Sequence, residues 1–484
     1  MSTKLSRRRL LLNATQGIGG LALSGLLPGG GMLVAPAYAS TDGSDPLAAR
    51  PTHFPAKVRS VIWLHMDGAP STLDLYDYKP DLIKLAGQDI PESFLKGVKT
   101  STQGGVGKLF ASQRTWKQHG DSGAWFSDLL PNIAGHADKL AFIKSSKTIG
   151  ATHDISILKL NTGDLNPGRP TLGAWVTYAL GSANRDLPPY VVLYTGNKEP
   201  NGGSINWSSG FLPAVYQGTP FRPGDSPILH LNRPDLLAEK QQRDNLDLLK
   251  QLNALSASRH PDDTELRARA NAYELAYRME SAAPEAVDLS KETDATKALY
   301  GLNDETTRPY GTNMLRARRL VERGVRFVQV VSGPLEVLAG NDDRNWDAHQ
   351  DLEQNHGAHS RAVDKPIAGL LADLEARGLL DSTLVVWTSE FSRTPYGQSG
   401  TGRDHNPWGY TQWLAGGGVK AGSTYGRTDE IGLKAVENLV DTYDLHATVL
   451  NLLGLDHLKV TFLNNGRSER PTVVYGEVVK GVLA

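Results

Sequence analysis

The residues able to do chemistry in this chain collect at three places where an apolar run stops. With no cysteine among 484 residues, thiolate ligands, thiolate nucleophiles and disulfides are excluded together. Imidazole, carboxylate and hydroxyl groups must then carry any metal or covalent chemistry. The densest group is Asn345-Trp346-Asp347-Ala348-His349, followed by His356 and His359. An oxygen ligand with imidazoles suits zinc, manganese or iron. Asp347 and His349 share a face only if the segment is extended. A helix starting near His349 would instead put His349, Glu353 and His356 on one stripe. Plain surface histidines at a polar helix start are the other reading.

The second place is VIWLHMDGAPSTLDLYD. Asp67 follows the apolar run and Ser71 comes four residues later, an order that suits a metal-activated hydroxyl nucleophile. An Asp-Gly turn with Ser71 capping a helix fits the same residues. The third is TLVVWTSEFSRTPYGQSGTGRDHNPWGY. Glu390 ends the run, and Arg393, Arg403, Asp404 and His405 follow in what reads as a long Gly-rich loop, a feature usually functional or disordered. Arg393 or Arg403 could grip an anionic substrate in a bidentate fashion, or the loop could be salt-bridged for structure alone. His153 in GATHD stays open as a site residue. Asp444 and His446 begin an amphipathic stretch, where Asp444 suits a structural helix-start carboxylate.

These groups need a scaffold that brings strand ends together. Val58 to Met66 and Tyr190 to Tyr194 read as buried strands. From about 233 to 323 the composition turns to Leu, Ala, Glu, Lys and Arg at helical spacing, which predicts a helical insertion. From Val325 the rhythm is VRFVQVVS, a helix from about His349 to Arg377, then TLVVWTS. Strands separated by helices predict a three-layer α/β/α domain over residues 40–484, with a mainly parallel sheet covered on both faces. Functional groups in such sheets gather where the strands end.

The N-terminus has the form of an export leader. Lys4 to Arg9 is charged, Leu10 to Val34 is weakly apolar and Gly-rich, and Ala37-Tyr38-Ala39 offers a small-x-small cleavage site. Ser6-Arg7-Arg8-Arg9-Leu10-Leu11 resembles the twin-arginine consensus. Residues 1–39 are therefore expected to be a cleaved signal peptide, with the twin-arginine translocase as partner and the mature chain periplasmic or secreted. Pro28-Gly29-Gly30-Gly31 breaks the apolar run short of the ~20 residues a stable membrane anchor needs. The formal net charge is −1, and losing the leader's four cations takes it to about −5. The chain has no basic tract, which argues against a nucleic-acid partner.

Several segments together resemble the bacterial family labelled domain of unknown function 1501. They include GAPSTLDLYDYKP, NWDAH, LLDSTLVVWTSEFSRTP, GRDHNPWGYTQWLAGGGVKAG and DLHATVLNLLGLDH. That family is in turn similar to the alkaline phosphatase and sulfatase superfamily. The resemblance implies an alkaline phosphatase-like fold and a metal-dependent hydrolase of phosphate or sulfate esters, with an anionic small molecule or polymer ester as substrate. It implies Asp67, Asp347, His349, His356, Glu390 and His405 as metal ligands and a divalent ion such as zinc, manganese or calcium. Ser71 would be the nucleophile, with Arg393 and Arg403 on the substrate. The superfamily's Asp-His at the later strand end is Glu390-Phe391 here, which loses one imidazole and fits one metal better than two. The competing expectation is an exported binding or assembly protein that has kept the fold and lost the site.

Overall fold

The computed structural model describes residues 45–99, 105–196, 199–224, 227–228, 238–259, 264–338 and 345–484. The expected leader, residues 1–39, lies outside the described residues. No described helix is long and apolar enough to cross a membrane.

Twelve of the described strands make up the main sheet and two hairpins. In chain order they are β1 (Ser60–Met66), β2 (Trp116–His119), β3 (Ala124–Ser127), β4 (Leu140–Ser146), β5 (Tyr190–Tyr194), β6 (Thr219–Phe221), β7 (Phe327–Ser332), β8 (Thr383–Thr388), β9 (Ser392–Gln398), β10 (Gly402–Asn406), β11 (Tyr410–Gly416) and β12 (Ser423–Tyr425). Eight of them make one sheet in the order β12-β4-β11-β8-β1-β7-β5-β6. Strands β8, β1, β7, β5 and β6 are parallel, and β11 runs antiparallel to both its neighbours. Every residue of β1, β7 and β8 is buried, as expected of central parallel strands covered on both faces.

The alternation along β1 assigns those faces. Ile62, Leu64 and Met66 join Met314, Leu315, Ile367 and Leu370 in one hydrophobic cluster, supplied by the helices Arg308–Glu322 and Leu352–Ala376. Trp63 points the other way, toward Phe327 and His446, where the helix Thr442–Leu452 packs. The structure is thus a mainly parallel sheet between helical layers, as the sequence pattern predicts.

The Leu-, Ala- and Glu-rich region forms the helices Glu239–Arg259, Thr264–Val287, Asp294–Leu299 and Arg308–Glu322. The last carries Tyr310, Met314 and Leu320 into the main core. Composition reports helix propensity, which insertion helices and layer helices share.

Two local readings are corrected. The helix expected from His349 starts at Leu352, because Asp351 is left-handed (φ 49°) and the preceding segment is pinned to the β9–β10 hairpin. Arg403 N–H donates to the Ala348 carbonyl (3.0 Å) and Leu352 N–H to the Thr401 carbonyl (3.1 Å). The expected long loop after Glu390 is that hairpin, with β9 and β10 antiparallel and a register shift between Arg403 and His405. The shift belongs to the bulged kind that re-aims side chains beside functional sites.

Candidate metal centre

The site lies beyond the C-terminal ends of β1, β4, β7 and β8. Asp67 follows β1 directly, His153 opens the helix Thr152 caps after β4, Asp347 and His349 come in the loop after β7, and Glu390 lies two residues past β8. His405 is delivered from the side by β10. The turn after β1 is shaped for close approach. Gly68 has φ +102°, and a Cβ there would stand 2.5 Å from the Asp347 backbone nitrogen. At Gly402 a Cβ would stand 2.1 Å from the His349 carbonyl carbon. Glycine at these two positions lets β1 and β10 close on the Asp347–His349 segment.

Three histidines meet one carboxylate. His349 Nε2 is 3.1 Å from Asp347 Oδ1, His405 Nε2 is 3.4 Å from the same oxygen, and His153 Nε2 is 3.1 Å from Asp347 Oδ2. His153 Nε2 and His405 Nε2 are themselves 3.1 Å apart. On each ring the other nitrogen faces an oxygen: Glu390 Oε1 for His153 (2.6 Å), the Ala151 carbonyl for His405 (2.5 Å) and Gln398 Oε1 for His349 (2.5 Å). An oxygen acceptor at Nδ1 keeps a proton there, so Nε2 is the atom each ring offers inward.

This donor set fits a metal ion. His153, Asp347 and His405 each offer a ligand atom, all within 4.8 Å of one another. A tetrahedral zinc with bonds near 2.0–2.1 Å holds its ligand atoms about 3.3 Å apart. The two imidazole nitrogens of His153 and His405 stand 3.1 Å apart, close to that edge length, and Asp347 presents Oδ2 to the first at 3.1 Å and Oδ1 to the second at 3.4 Å. The charges around the set act in both directions. Burial opposes charge on His153, but Asp347 and Glu390 outweigh it and push this imidazole up to about 9. Burial likewise works against the Asp347 carboxylate, yet Arg393 and the imidazoles hold it far below the usual range. His405, buried and facing Arg393, is shifted down.

Glu390 stands behind this set. Its Oε1 accepts from Gly68 N–H (3.1 Å) and faces His153, while Oε2 faces His65 Nε2 at 3.2 Å. Burial opposes its charge, but His153 and His65 hold it down at about 2. Asp67, fully buried beside Glu390, is pushed up to about 6 by burial first and then by that neighbouring charge. Its Oδ2 has long contacts of 3.4 Å to Asn201 N–H and Asn345 Nδ2, and among the described residues its buried Oδ1 has no hydrogen-bond partner.

The other sequence candidates form a second, neighbouring cluster. The Ser71 hydroxyl donates to Asp74, which Arg403 Nε also holds at 2.9 Å. Arg403 further donates to the Phe110 and Thr394 carbonyls. His356 Nε2 accepts the Ser71 N–H at 2.7 Å, and burial lowers this imidazole to about 3. Arg393 is buried between the two groups. It donates to the Ala69 carbonyl (2.8 Å) and the Gly68 carbonyl and pairs with Asp347 Oδ1 (2.6 Å). The structure therefore brings Asp347, His349 and His405 together with Arg393, and places Glu390 one step behind. It sets Ser71, His356 and Arg403 apart around Asp74. Asp444 closes a capping box with Asp441, and His446 Nε2 lies 2.8 Å from the Leu160 carbonyl.

Sequence reasoning left His153 open and passed over His65. Both had a signal. His65 is an imidazole inside an otherwise apolar strand, and a buried polar group needs a partner. His153 opens the helix that follows β4.

Residues 58–483 match the family described as protein of unknown function (DUF1501). The chain belongs to this family. No curated protein matches it. Among solved structures it is similar to the lipoteichoic acid synthase LtaP from Listeria monocytogenes, at 10% identity, covering 84% of this chain and 76% of that one, with a TM-score of 0.37. It is similar to PsFucS1 sulfatase from Pseudoalteromonas sp., at 15% identity, 82% and 68% coverage and a TM-score of 0.33. A TAB5 alkaline phosphatase mutant with magnesium in its M3 site is similar at 11% identity, 83% and 99% coverage and a TM-score of 0.35.

Proposed function

We propose that this chain is a metal-dependent hydrolase of phosphate or sulfate esters that works outside the cytoplasm. The observation that supports the chemistry is the convergence of three Nε2 atoms on Asp347, each ring fixed by an oxygen at Nδ1. His153, His405, Asp347 and His349 would hold one divalent ion. Imidazoles with a carboxylate favour zinc or manganese over calcium, which prefers an all-oxygen shell. The ion would supply Lewis acidity against negative charge growing on a phosphoryl or sulfuryl oxygen. Glu390 keeps His153 aimed. Arg393 fixes Asp347 and the turn after β1. The imidazoles and Asp347 retain 8–19% of their side-chain exposure, so the centre opens to solvent, whereas Ser71 is 0% exposed with its hydroxyl committed to Asp74. Attack by water from the open side therefore fits this geometry better than attack by Ser71.

The test is elemental analysis joined to turnover. Protein purified after export should carry close to one zinc or manganese per chain and hydrolyse an aryl phosphate or aryl sulfate. Chelation should abolish turnover, and one equivalent of metal should restore it. Folded protein with no affinity for either metal would overturn the proposal and leave the exported binding protein as the better reading. The location rests on the leader residues. Replacing Arg7 and Arg8 with Lys should trap full-length precursor inside the cell, and normal export of that variant would remove the twin-arginine route.

A further inference from the structure

We infer that His65 is a positioning residue for the metal centre, acting through Glu390 on His153. This deepens the metal-dependent reading and rests on it. β1 is a central strand, and all seven of its residues are buried. Its neighbours on the sheet are β7 and β8, and His65 pairs in register with Val331 on one side and Thr388 on the other. Alternation turns its imidazole to the face opposite Ile62, Leu64 and Met66, the face Trp63 also occupies. An imidazole is costly there unless its nitrogens are engaged.

The engagement is with Glu390 and is part of a longer chain of contacts. His65 Nε2 lies 3.2 Å from Glu390 Oε2. Glu390 Oε1 takes Gly68 N–H at 3.1 Å and meets His153 Nδ1 at 2.6 Å. His153 Nε2 faces Asp347 and His405. Two donors from β1 and its following turn thus hold the carboxylate, one on each oxygen, and fix the plane in which it presents Oε1 to His153. Without the His65 contact, Oε2 loses its donor and the carboxylate is free to turn about the Gly68 bond. The Nδ1 partner of His153 then swings off line, and with it the direction of Nε2. Carboxylate–histidine–metal relays are known to tune metal affinity. Here the relay has one more member, rooted in the central strand.

The experiment is cobalt(II) binding by the full chain, followed by the visible absorption of the bound ion, with thermal melting recorded on the same samples. His65→Leu fills the space but donates nothing. His65→Gln places an amide N–H near the Nε2 position. The relay requires His65→Leu to bind cobalt about 10-fold more weakly with a changed absorption spectrum, and His65→Gln to stay within about threefold of wild type with the wild-type spectrum. If His65→Leu does not fold, His65→Asn replaces it, since its shorter amide stops short of Glu390. Equal cobalt affinity and identical spectra in all variants, with only the melting temperature lowered, would make His65 structural and overturn the relay while leaving the metal centre standing. Failure of the wild type to bind cobalt would overturn both.

Discussion

Two clusters of nearly the same residue types sit side by side in this fold, and they do opposite things with their lone pairs. Around Asp347 lie His153, His349, His405 and Arg393. Around Asp74 lie Ser71, His356 and Arg403. Each has an aspartate, at least one imidazole and an arginine, and each takes members from the β9–β10 hairpin. In the Asp74 cluster the arginine and the serine hydroxyl both go to the carboxylate, and the imidazole accepts a backbone N–H. All of it is closed off from solvent. In the Asp347 cluster three imidazole nitrogens crowd one carboxylate from a half-open side. Residue type does not separate the clusters. The direction of the unshared electron pairs does, and that direction is set by what sits behind each ring.

The largest effect should follow from removing the centre of the open cluster. Asp347→Ala deletes the group on which all three Nε2 atoms converge and should take bound metal from about one ion per chain to near zero, with turnover lost alongside. Elemental analysis of folded Asp347→Ala reads this directly, and retention of a stoichiometric ion would place the metal elsewhere. The matching change in the closed cluster should act on the fold instead. Asp74→Ala leaves the fully buried Arg403 without its carboxylate, which should cost about 3–5 kcal/mol. Denaturant unfolding measures the loss, and the metal content of the surviving folded fraction should be unchanged. A loss of metal in that fraction would mean the clusters are one functional unit.

A smaller change sharpens the contrast between holding an ion and aiming its ligands. Glu390→Gln keeps the volume and removes the charge behind His153. Metal affinity should fall about 10–100-fold with stoichiometry preserved at saturating metal. Complete loss of binding at saturation would move Glu390 from behind His153 to direct coordination.

The sheet and its covering layers were legible because buried parallel strands are written as apolar runs, and VIWLHM, YVVLY and TLVVWT need no partner information to be recognised. The strand ends therefore marked the neighbourhood of the site. Assignment within it was not legible. Asp67, Ser71, Asp347, His356, Glu390, Arg403 and His405 all follow apolar runs or turns, and only the register shift in the β9–β10 hairpin decides that His405 faces Asp347 while Arg403 faces Asp74. That shift is a tertiary event within GRDHN. The helix start misread at His349 has the same origin, because the pinning of Ala348 and Leu352 comes from residues some 50 positions later.

Ser71 gives the finest test of the comparison, since it is the residue for which sequence order and geometry point different ways. Its place four residues after Asp67 invites the role of nucleophile. Its hydroxyl is buried, donates to Asp74, and has Arg403 holding the same carboxylate. If the closed cluster is structural, Ser71→Ala removes one of two donors to a carboxylate that Arg403 still grips, and should cost only about 1–2 kcal/mol of stability. Turnover on an aryl phosphate or aryl sulfate, whichever the wild type cleaves, should stay within about twofold, because no transition-state contact is lost. Melting, metal content and turnover must be taken on the same preparation. A folded, metal-loaded Ser71→Ala with turnover reduced about 100-fold or more would have lost about 2.7 kcal/mol or more of transition-state stabilisation, which a hydrogen bond serving the fold alone does not supply. It would require Ser71 to leave Asp74 and reach the ester during the reaction, and the boundary between the two clusters would then be a feature of the resting protein alone.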